Sequence, residues 1–430
     1  MIAASDEPTY AGGHCGAPVP VGGKNVLWAV HIGHTTYRST LHVTGGQVIV
    51  GSNGDAWHAT EDPCDGVYIL SASSGKLVRH IATPDHPAGG ESDVTGVAVT
   101  ADALIFGTDQ GVLFKTDRAG KVVWSYSMGG DVEAAPVVAD VDGDGVGDVA
   151  AGAELGDFFV ISGATGKVLH RIATGEGDYG QRGFVTAAAA GDVTGDGVPD
   201  LFAPGRDGTM RAIDGKSGAI LWRKKHASAL HSAPILVDTD GDKKLELLYA
   251  AVYSELLSVD AATGDVRWQA ELSHPGLGIE GLFSPVAYFP AARCAVVGTA
   301  WWKKDEGVYC VRDGSTLWRF DEPTENITSG AVIGDVDGAA GSEVVFATES
   351  GWVFGLDARG NKVWDFHAGS PIEMTPTVAD VDGDGLNEVL IAAQDGILRA
   401  VVTDGHAPAE VGYFRGDAKN TGVWPVPAQH

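Results

Sequence analysis

The chain has 430 residues, 61 of them glycine, and only 20% of its residues are charged. Abundant glycine with few charges favours many tight turns between short strands over long helices. The formal net charge of −28 argues against a nucleic-acid partner, because phosphate binding requires lysine and arginine. No apolar run approaches the roughly 20 residues that span a bilayer, so no membrane span is expected.

The N-terminal seven residues contain neither a basic nor an apolar region, so no signal peptide is visible in this sequence. Four cysteines are present: Cys15, Cys64, Cys294 and Cys310. Cys294 and Cys310 flank a predicted hairpin and can face each other across two strands, which leaves Cys15 and Cys64 as a second pair. Two disulfides indicate an oxidising compartment, and four unpaired thiols are the alternative.

A strand signal that often ends in tryptophan recurs along the chain. It occurs first at residues 23–28 and then at 69–78, 114–124, 161–169, 213–222, 259–268, 311–318 and 356–364. The tryptophans at positions 222, 268, 318 and 364 are spaced by 46, 50 and 46 residues. A repeat of this length with several strands in each unit predicts the blades of a propeller.

Each repeat is predicted to contain four strands, A to D. Strand A begins near residues 39, 93, 133, 186, 231, 283, 329 and 374. These repeats predict an all-β fold, a single eight-bladed β-propeller of four-stranded antiparallel blades that occupies residues 1–430. Pairing of N- and C-terminal strands, within closing segments 1–38 and 403–430, would remove the last exposed edge. Residues 23–28 are predicted to complete the last blade, and residues 411–414 are the competing candidate.

Five of the predicted A–B loops carry acidic residues at alternate positions. The four complete loops offer candidate metal ligands: Asp140, Asp142, Asp144, Val146 and Asp148 in blade 3; Asp192, Thr194, Asp196, Val198 and Asp200 in blade 4; Asp238, Asp240, Asp242, Lys244 and Glu246 in blade 5; and Asp380, Asp382, Asp384, Leu386 and Glu388 in blade 8. Eighteen of the 57 acidic residues lie in the five loops, so much of the net charge is local.

The spacing in these loops suits calcium, which takes about six to eight oxygen ligands. A tight loop turns alternate side chains toward one point, and glycine permits the backbone bend. The residue two positions after the third acid, such as Val146 after Asp144, can add a backbone carbonyl. The pattern predicts three to four structural calcium sites, with ordinary acidic turns as the alternative.

The blade 7 loop is degenerate, because it keeps Asp335, Asp337 and Glu343 but has Ala339 at the third acidic position. We expect weak or no metal binding there, and none in blades 1, 2 and 6, which lack such a loop. Cytosolic free calcium is too low to fill weak sites. Calcium therefore favours an extracellular or periplasmic location, and the cytoplasm is the alternative.

The acidic loops resemble the FG-GAP repeats of integrin-type propellers, which bind calcium in the same A–B loop. The Asp-x-x-x-Gly-x-x-x-Trp signal resembles the PQQ-like repeats of quinoprotein dehydrogenases and of related non-enzymatic bacterial propellers. Residues 414–422 (FRGDAKNTG) are similar to a segment found beside such repeats. The resemblance covers nearly the whole chain and implies the fold. Quinoproteins carry adjacent cysteines near the cofactor, and this sequence has none, so pyrroloquinoline quinone is not expected.

The residues that enter each strand A are expected to line the channel mouth on the face opposite the acidic loops. They are Arg38, Asp93, Glu133, Arg182, His231, Glu280, Thr328 and Glu373. A polar ligand, a metal or acid–base chemistry could use this ring, and a water-filled mouth is the alternative. Trp57, Trp301 and Trp302 on that face can stack on sugars or anchor a partner, with packing against a neighbouring loop as the alternative.

The first functional hypothesis is a calcium-stabilised, monomeric binding or scaffold propeller with a glycan or protein ligand opposite the calcium loops. The second is an enzyme such as a polysaccharide lyase or hydrolase, with Glu133, Arg182 and His231 as candidate catalytic residues. Quinone-dependent dehydrogenation ranks last. The sequence leaves the choice between binding and catalysis open.

Overall fold

The computed structural model describes residues 15–21, 25–55, 62, 64–83, 93–177, 180–252, 255–272, 281–300, 306–322, 326–409 and 412–424. Within these residues the fold is all-β and consists of eight four-stranded antiparallel sheets. The predicted eight-bladed β-propeller is therefore confirmed. In the described residues, no helix is sufficiently long and apolar to cross a membrane.

The first four blades each use four strands that follow one another in the chain. From strand A to strand D these are Leu41–Thr44, Gln47–Asn53, Asp65–Ser71 and Leu77–Ala82 in blade 1; Val97–Val99, Ala103–Gly107, Val112–Asp117 and Val122–Ser127 in blade 2; Val137–Ala139, Asp148–Gly152, Phe158–Ile161 and Val168–Ile172 in blade 3; and Ala189–Gly191, Asp200–Pro204, Thr209–Ile213 and Ile220–Lys225 in blade 4.

Blades 5 to 7 repeat this order, and blade 8 takes its strand D from the N-terminus. The strands are Ile235–Val237, Glu246–Ala251, Glu255–Asp260 and Val266–Glu271 in blade 5; Ala287–Phe289, Cys294–Gly298, Val308–Arg312 and Ser315–Phe320 in blade 6; Ala331–Gly334, Glu343–Ala347, Trp352–Leu356 and Lys362–His367 in blade 7; and Thr377–Ala379, Leu386–Ala392, Ile397–His406 and Val26–His31 in blade 8.

Strand A of each blade lies closest to the central axis, since strands A of neighbouring blades contact one another. Strands A to C are mostly buried, whereas strand D alternates between exposed and half-buried residues, as in Ile220–Lys225. The core consists of apolar layers between successive blades. Between blades 3 and 4, for example, Val160, Phe184 and Leu201 share one layer.

A tryptophan in strand D joins four of the blades to the next one. The indole Nε1 of Trp124 donates to the carbonyl of Gly163 (3.0 Å), and that of Trp222 donates to Ala261 (2.9 Å). A Cβ on Gly264, which has φ +77°, would lie 2.8 Å from the Trp222 ring. The turn therefore needs glycine both for its left-handed backbone and for space under the ring. This contact explains the repeated Gly-x-x-x-Trp spacing.

The N-terminal strand closes the ring, as the sequence predicts. Val26–His31 pairs with Ile397–His406, with Trp28 opposite Ala400, and Trp28 donates to the carbonyl of Ala72 in blade 1 (2.8 Å). The competing residues of segment 411–414 do not form this strand. Its described part belongs to a different feature, the C-terminal plug.

The C-terminal plug, residues 412–424, crosses the central channel on the face of the A–B loops. Inner-strand N–H groups donate to its carbonyls, as in Val99 to Ala418 (2.7 Å) and Leu236 to Gly422 (2.7 Å). Phe414 packs among small side chains of three blades and is 5% exposed. The plug therefore closes one end of the channel.

Both predicted disulfides are present. Cys294 and Cys310 link strands B and C of blade 6, and Cys15 joins Cys64. The first is a local staple within one hairpin, and the second ties the N-terminal segment to blade 1. No cysteine is left free in the described part of the chain.

Candidate functional site

The acidic loop of blade 3 is organised by hydrogen bonds from its own backbone. Asp140 accepts from the N–H groups of Gly143 (2.8 Å) and Gly145 (3.0 Å). The buried closing residue Asp148 accepts from Val141 (2.9 Å) and from the C–D turn. These bonds hold the loop in one shape and turn the carboxylates of alternate residues toward a common centre.

Three carboxylates converge in blades 3, 5, 7 and 8, with one oxygen from each lying within 4.8 Å of the others. The groups are Asp140, Asp142 and Asp148; Asp238, Asp240 and Glu246; Asp335, Asp337 and Glu343; and Asp380, Asp382 and Glu388. Carboxylate oxygens suit a hard cation such as calcium. The loop of blade 7 forms the same group despite its missing third acid, so its weak binding stays a prediction.

The remaining predicted metal ligands lie outside these groups of three carboxylates. Asp144 lies outside the blade 3 group, and its Oδ1 accepts from the N–H of Val146 (2.7 Å). Among the described residues, blade 4 forms no group of three carboxylates, because Thr194 occupies the second acidic position. Asp192 and Asp200 nevertheless accept the same backbone bonds as their blade 3 counterparts. Blade 4 therefore keeps the loop shape with one acid fewer.

Burial and crowding raise the pKa of the closing acids. Burial first, and then the neighbouring aspartates, raise the pKa of Glu343 and of Glu388 to about 7. Burial is also the main cause of the raised pKa of Asp148. Ionised carboxylates in these positions repel one another, so a bound cation would stabilise each loop.

Blade 5 differs because the guanidinium of an arginine in its strand D reaches the carboxylates of its acidic loop. The guanidinium of Arg267 is 3.3 Å from Asp240, from Glu246 and from Asp260. Lys243 also differs, since it has φ +71° where blade 3 has Gly145 at φ +84°. The blade 5 loop therefore has a guanidinium among its carboxylates and a strained backbone position at Lys243.

The channel mouth on the opposite face contains two buried ion pairs. Arg38 pairs with Glu133, and Arg206 pairs with Glu154. The side chain of each arginine is less than one-fifth exposed, at 17% for Arg38 and 19% for Arg206. Two charged pairs in a shielded channel make a polar site with fixed side chains.

A second ring of residues, absent from the sequence-based prediction, contributes to the mouth. Each member lies two residues after the end of strand B, in the B–C turn. The members are Asp109, Glu154, Arg206, Glu349 and Gln394. Charges in this ring shift the pKa values of residues in the strand A ring. Glu349 contributes to the raised pKa of Glu373, whereas Arg206 acts to lower the pKa of Glu133 and of His231. The regular position after strand B is the signal that could have identified them.

Burial shifts the pKa values of three predicted mouth residues. Burial raises the pKa of Glu373 to about 7, and the neighbouring Glu349 adds to the effect. Burial also raises the pKa of Glu133, against the influence of Arg38. Burial lowers the pKa of His231 to about 3, so its imidazole is neutral at physiological pH.

The predicted ring is only partly assembled. Asp93 and Thr328 are buried at its strand A positions. Arg182 is exposed, and the position in blade 4 that corresponds to Glu133 is filled by Val185. Arg206, from the B–C turn, is the arginine that lies in the mouth instead. Glu280, Trp57, Trp301 and Trp302 lie outside the described residues.

The inner end of the mouth is closed. Tyr37, Arg38, His231 and Phe283 line a narrow cavity together with Phe414 of the C-terminal plug. Because the plug crosses the channel behind Phe414, the mouth is a blind pocket.

A known protein family matches part of the repeated sequence of this chain. A family model described as outer membrane protein assembly factor BamB matches residues 66–275. No curated protein matches the sequence. The match spans just under half of the chain and, together with the fold, it supports a likeness to β-propellers with PQQ-like repeats. The resemblance of its acidic loops to FG-GAP repeats stays a prediction.

Solved structures share the fold at low sequence identity. BamB from Moraxella catarrhalis is 15% identical, with a TM-score of 0.61 over 90% of this chain and 100% of that one. A europium-containing methanol dehydrogenase is 14% identical, with a TM-score of 0.64 over 92% of this chain and 87% of that one. Quinohemoprotein alcohol dehydrogenase from Comamonas testosteroni is 12% identical, with a TM-score of 0.63 and coverages of 89% and 77%. Such likeness shows fold alone.

The mouth fits an anionic quinone poorly. Pyrroloquinoline quinone carries carboxylates, whereas Arg38 and Arg206 are already paired with glutamates. Glu349 adds further negative charge to the same pocket and helps to raise the pKa of Glu373. Repulsion between these groups and the cofactor would oppose binding.

Proposed function

We propose that this protein is a calcium-stabilised binding propeller that acts outside the cytoplasm. Its ligand would be a protein partner that inserts a basic side chain into the channel mouth. The observation that carries the proposal is the group of glutamates at the channel mouth opposite the acidic loops, namely Glu133, Glu154, Glu349 and Glu373. Two disulfides support the extracytoplasmic location.

The charges of the channel mouth favour a basic ligand. Arg38 and Arg206 are balanced by Glu133 and Glu154, which leaves the carboxyl group of Glu373 hydrogen-bonded to the neutral Gln394. A lysine or arginine side chain entering the pocket would neutralise buried carboxylates and gain charge-assisted hydrogen bonds. The description of the matching family model as an assembly factor supports a protein ligand rather than a glycan at this mouth.

Calcium would stabilise the acidic loops on the opposite face. The converging carboxylates of blades 3 and 8 supply hard oxygen donors, and crowding makes those loops costly without a cation. A metal that binds only the folded state stabilises it by about 2.7 kcal/mol at one hundred times its Kd. We therefore expect EDTA to lower the melting temperature, and Asp380→Asn with Asp382→Asn to reduce that response.

The mouth is tested with a lysine-containing peptide library and the same peptides carrying acetyl-lysine. We expect selected lysine peptides to bind, their acetylated forms to bind at least tenfold more weakly, and Glu349→Gln with Glu373→Gln to abolish the preference. Glu271→Gln, an exposed change in strand D of blade 5, is the control. Equal binding of both peptide forms, or capture of neutral glycans that is lost in the double variant, would overturn the basic-ligand proposal.

A further inference from the structure

Blade 6 departs from the repeat on the face that carries the acidic loops. Its strands A and B are joined by residues 290–293, whereas blade 5 uses residues 238–245. Its strands C and D are joined by Asp313 and Gly314 alone, whereas blade 5 uses residues 261–265. Both shortened turns lie beside blade 5, and they leave a cleft between the two blades.

The short C–D turn also releases a tryptophan from its usual contact. Trp268 occupies the strand D position from which Trp124 and Trp222 donate to the next blade. Among the described residues, no carbonyl of blade 6 accepts from the Trp268 indole. A Cβ on Gly314 would meet the Cβ of Trp268 at 3.6 Å rather than the underside of its ring. The half-buried indole is therefore available as a wall of the cleft.

The blade 5–6 cleft, lined by Trp268, Tyr288, Arg293, Arg312 and Asp313 over a floor that includes Val311, has a volume of about 360 Å³. This size lies within the ordinary range for small-molecule sites. The floor is apolar and buried, and the rim is charged and exposed. Such a division suits a ring with an apolar face and polar substituents.

The two rim arginines are the distinctive groups of the cleft. Arg293 donates to the carbonyl of Thr239 (3.3 Å), and Arg312 donates to the carbonyl of Ala292 (3.4 Å). Neither forms a salt bridge within the described part of the chain, although the protein has a net charge of −28. Across the cleft, Asp240 is already paired with Arg267 (3.3 Å). The rim therefore offers two guanidiniums to a carboxylate of a ligand.

We propose that the blade 5–6 cleft binds an acidic sugar unit of the uronate type. The C–H face of the pyranose ring would stack on Trp268, as apolar ring faces do on aromatic side chains. Its carboxylate would bind Arg293 and Arg312, and the neighbouring Asp313 would accept from a sugar hydroxyl. The site is separate from the channel mouth and lies on the opposite face, so it does not rest on the proposed function.

The test titrates the full chain with tetragalacturonate and with its methyl ester by calorimetry. Free calcium is held constant in one series and removed by EDTA in another, because uronates bind calcium themselves. We expect the acid to bind in both series and the ester to bind at least tenfold more weakly. Glu349→Gln with Glu373→Gln at the mouth should leave this binding unchanged, which separates the two proposals.

Two variants locate the site. Arg293→Met with Arg312→Met changes only exposed rim residues and should weaken tetragalacturonate binding at least tenfold, whereas the exposed Arg223→Met in blade 4 should not. Trp268→Ala should weaken acid and ester alike. Equal binding of acid and ester, full binding by the double arginine variant, or no binding at millimolar concentration would overturn the proposal. Binding of an acidic peptide in place of the uronate would also overturn it.

Discussion

The guanidinium Nη2 of Arg267 lies 3.3 Å from Oε1 of Glu246, the closing carboxylate of the blade 5 loop. Glu246 is 1% exposed, so this charge is shielded from water. The residue before the strand D tryptophan is Leu27 in blade 8 and Leu221 in blade 4, which carry no charge. In blade 5, the guanidinium thus lies among the carboxylates that the sequence predicts as calcium ligands.

Replacing Arg267 with methionine should therefore strengthen calcium binding by the blade 5 loop. Removing the guanidinium frees the carboxylates of Asp240 and Glu246, and the affinity of calcium sites rises with the charge of their ligands. We expect about a tenfold gain in affinity for one site, or one additional ion per chain, measured by calorimetry after exhaustive chelation. Arg223→Met is the matched control. Unchanged affinity and stoichiometry would show that Arg267 does not compete with the ion.

Lys243→Gly should stabilise the protein. Lys243 has φ +71°, a conformation that costs a side-chain-bearing residue about 1 kcal/mol and costs glycine little. The expected gain is about 0.5–1 kcal/mol in the free energy of unfolding, measured by urea denaturation in EDTA. Gly241→Ala in the same loop, at φ +85°, should lose about as much. Destabilisation by Lys243→Gly would mean that its side chain makes a compensating contact.

The fold was largely predictable because each blade repeats its strands and its turn residues. Residues 23–28 could be assigned to blade 8 since they copy the strand D signal, and Val26–His31 indeed closes that blade. The alternation of acids identified the loops because alternate side chains of a tight loop turn to one side. These inferences needed only local spacing, which the sequence displays directly.

The features that sequence reasoning missed depend on contacts between distant segments. Arg206 meets Glu154 across two blades, and Asn420 reaches the carbonyls of Val97 and Pro136 from the far end of the chain. The prediction that Arg182 lines the channel mouth was wrong, because the residue that enters strand A of blade 4 lies a few positions later, at Val185. Irregular loops do not preserve the register from which such positions are counted.

Glu373→Gln should make stability less dependent on pH. The folded pKa of Glu373 is about 7, above its ordinary value of 4.5, because burial disfavours the ionised form. The stability that protonated Glu373 contributes is full below about pH 4.5 and is lost as the pH rises toward 7. A shift of this size corresponds to at most about 3 kcal/mol.

The measurement compares urea denaturation of the two proteins at pH 5 and pH 8. The variant should exceed the wild type by about 1–3 kcal/mol at pH 8 and differ little at pH 5, since glutamine resembles the protonated acid. Glu271→Gln, which is exposed on strand D, should follow the wild type at both values. An equal difference at pH 5 and pH 8 would assign the effect to packing rather than to the charge.

The C-terminal plug should contribute to the stability of the whole ring, because its backbone bonds to inner strands of several blades. Phe414→Ala would leave a cavity among Ala135, Ala187 and Ala233, with an expected loss of about 3–4 kcal/mol. Asn420→Ala would remove the donor to Val97 and Pro136 (both 3.1 Å), with a loss of about 1–3 kcal/mol.

Urea denaturation and limited proteolysis measure these losses, with Val266→Ala on the exposed outer strand of blade 5 as the control. If the plug holds the ring together, Phe414→Ala should lower the urea midpoint of the entire transition. If the plug only occludes the channel, the same variant should release the C-terminal residues to protease while the midpoint stays that of the wild type. The two results separate a structural closure from a removable stopper, because only the former couples Phe414 to the unfolding of the whole ring.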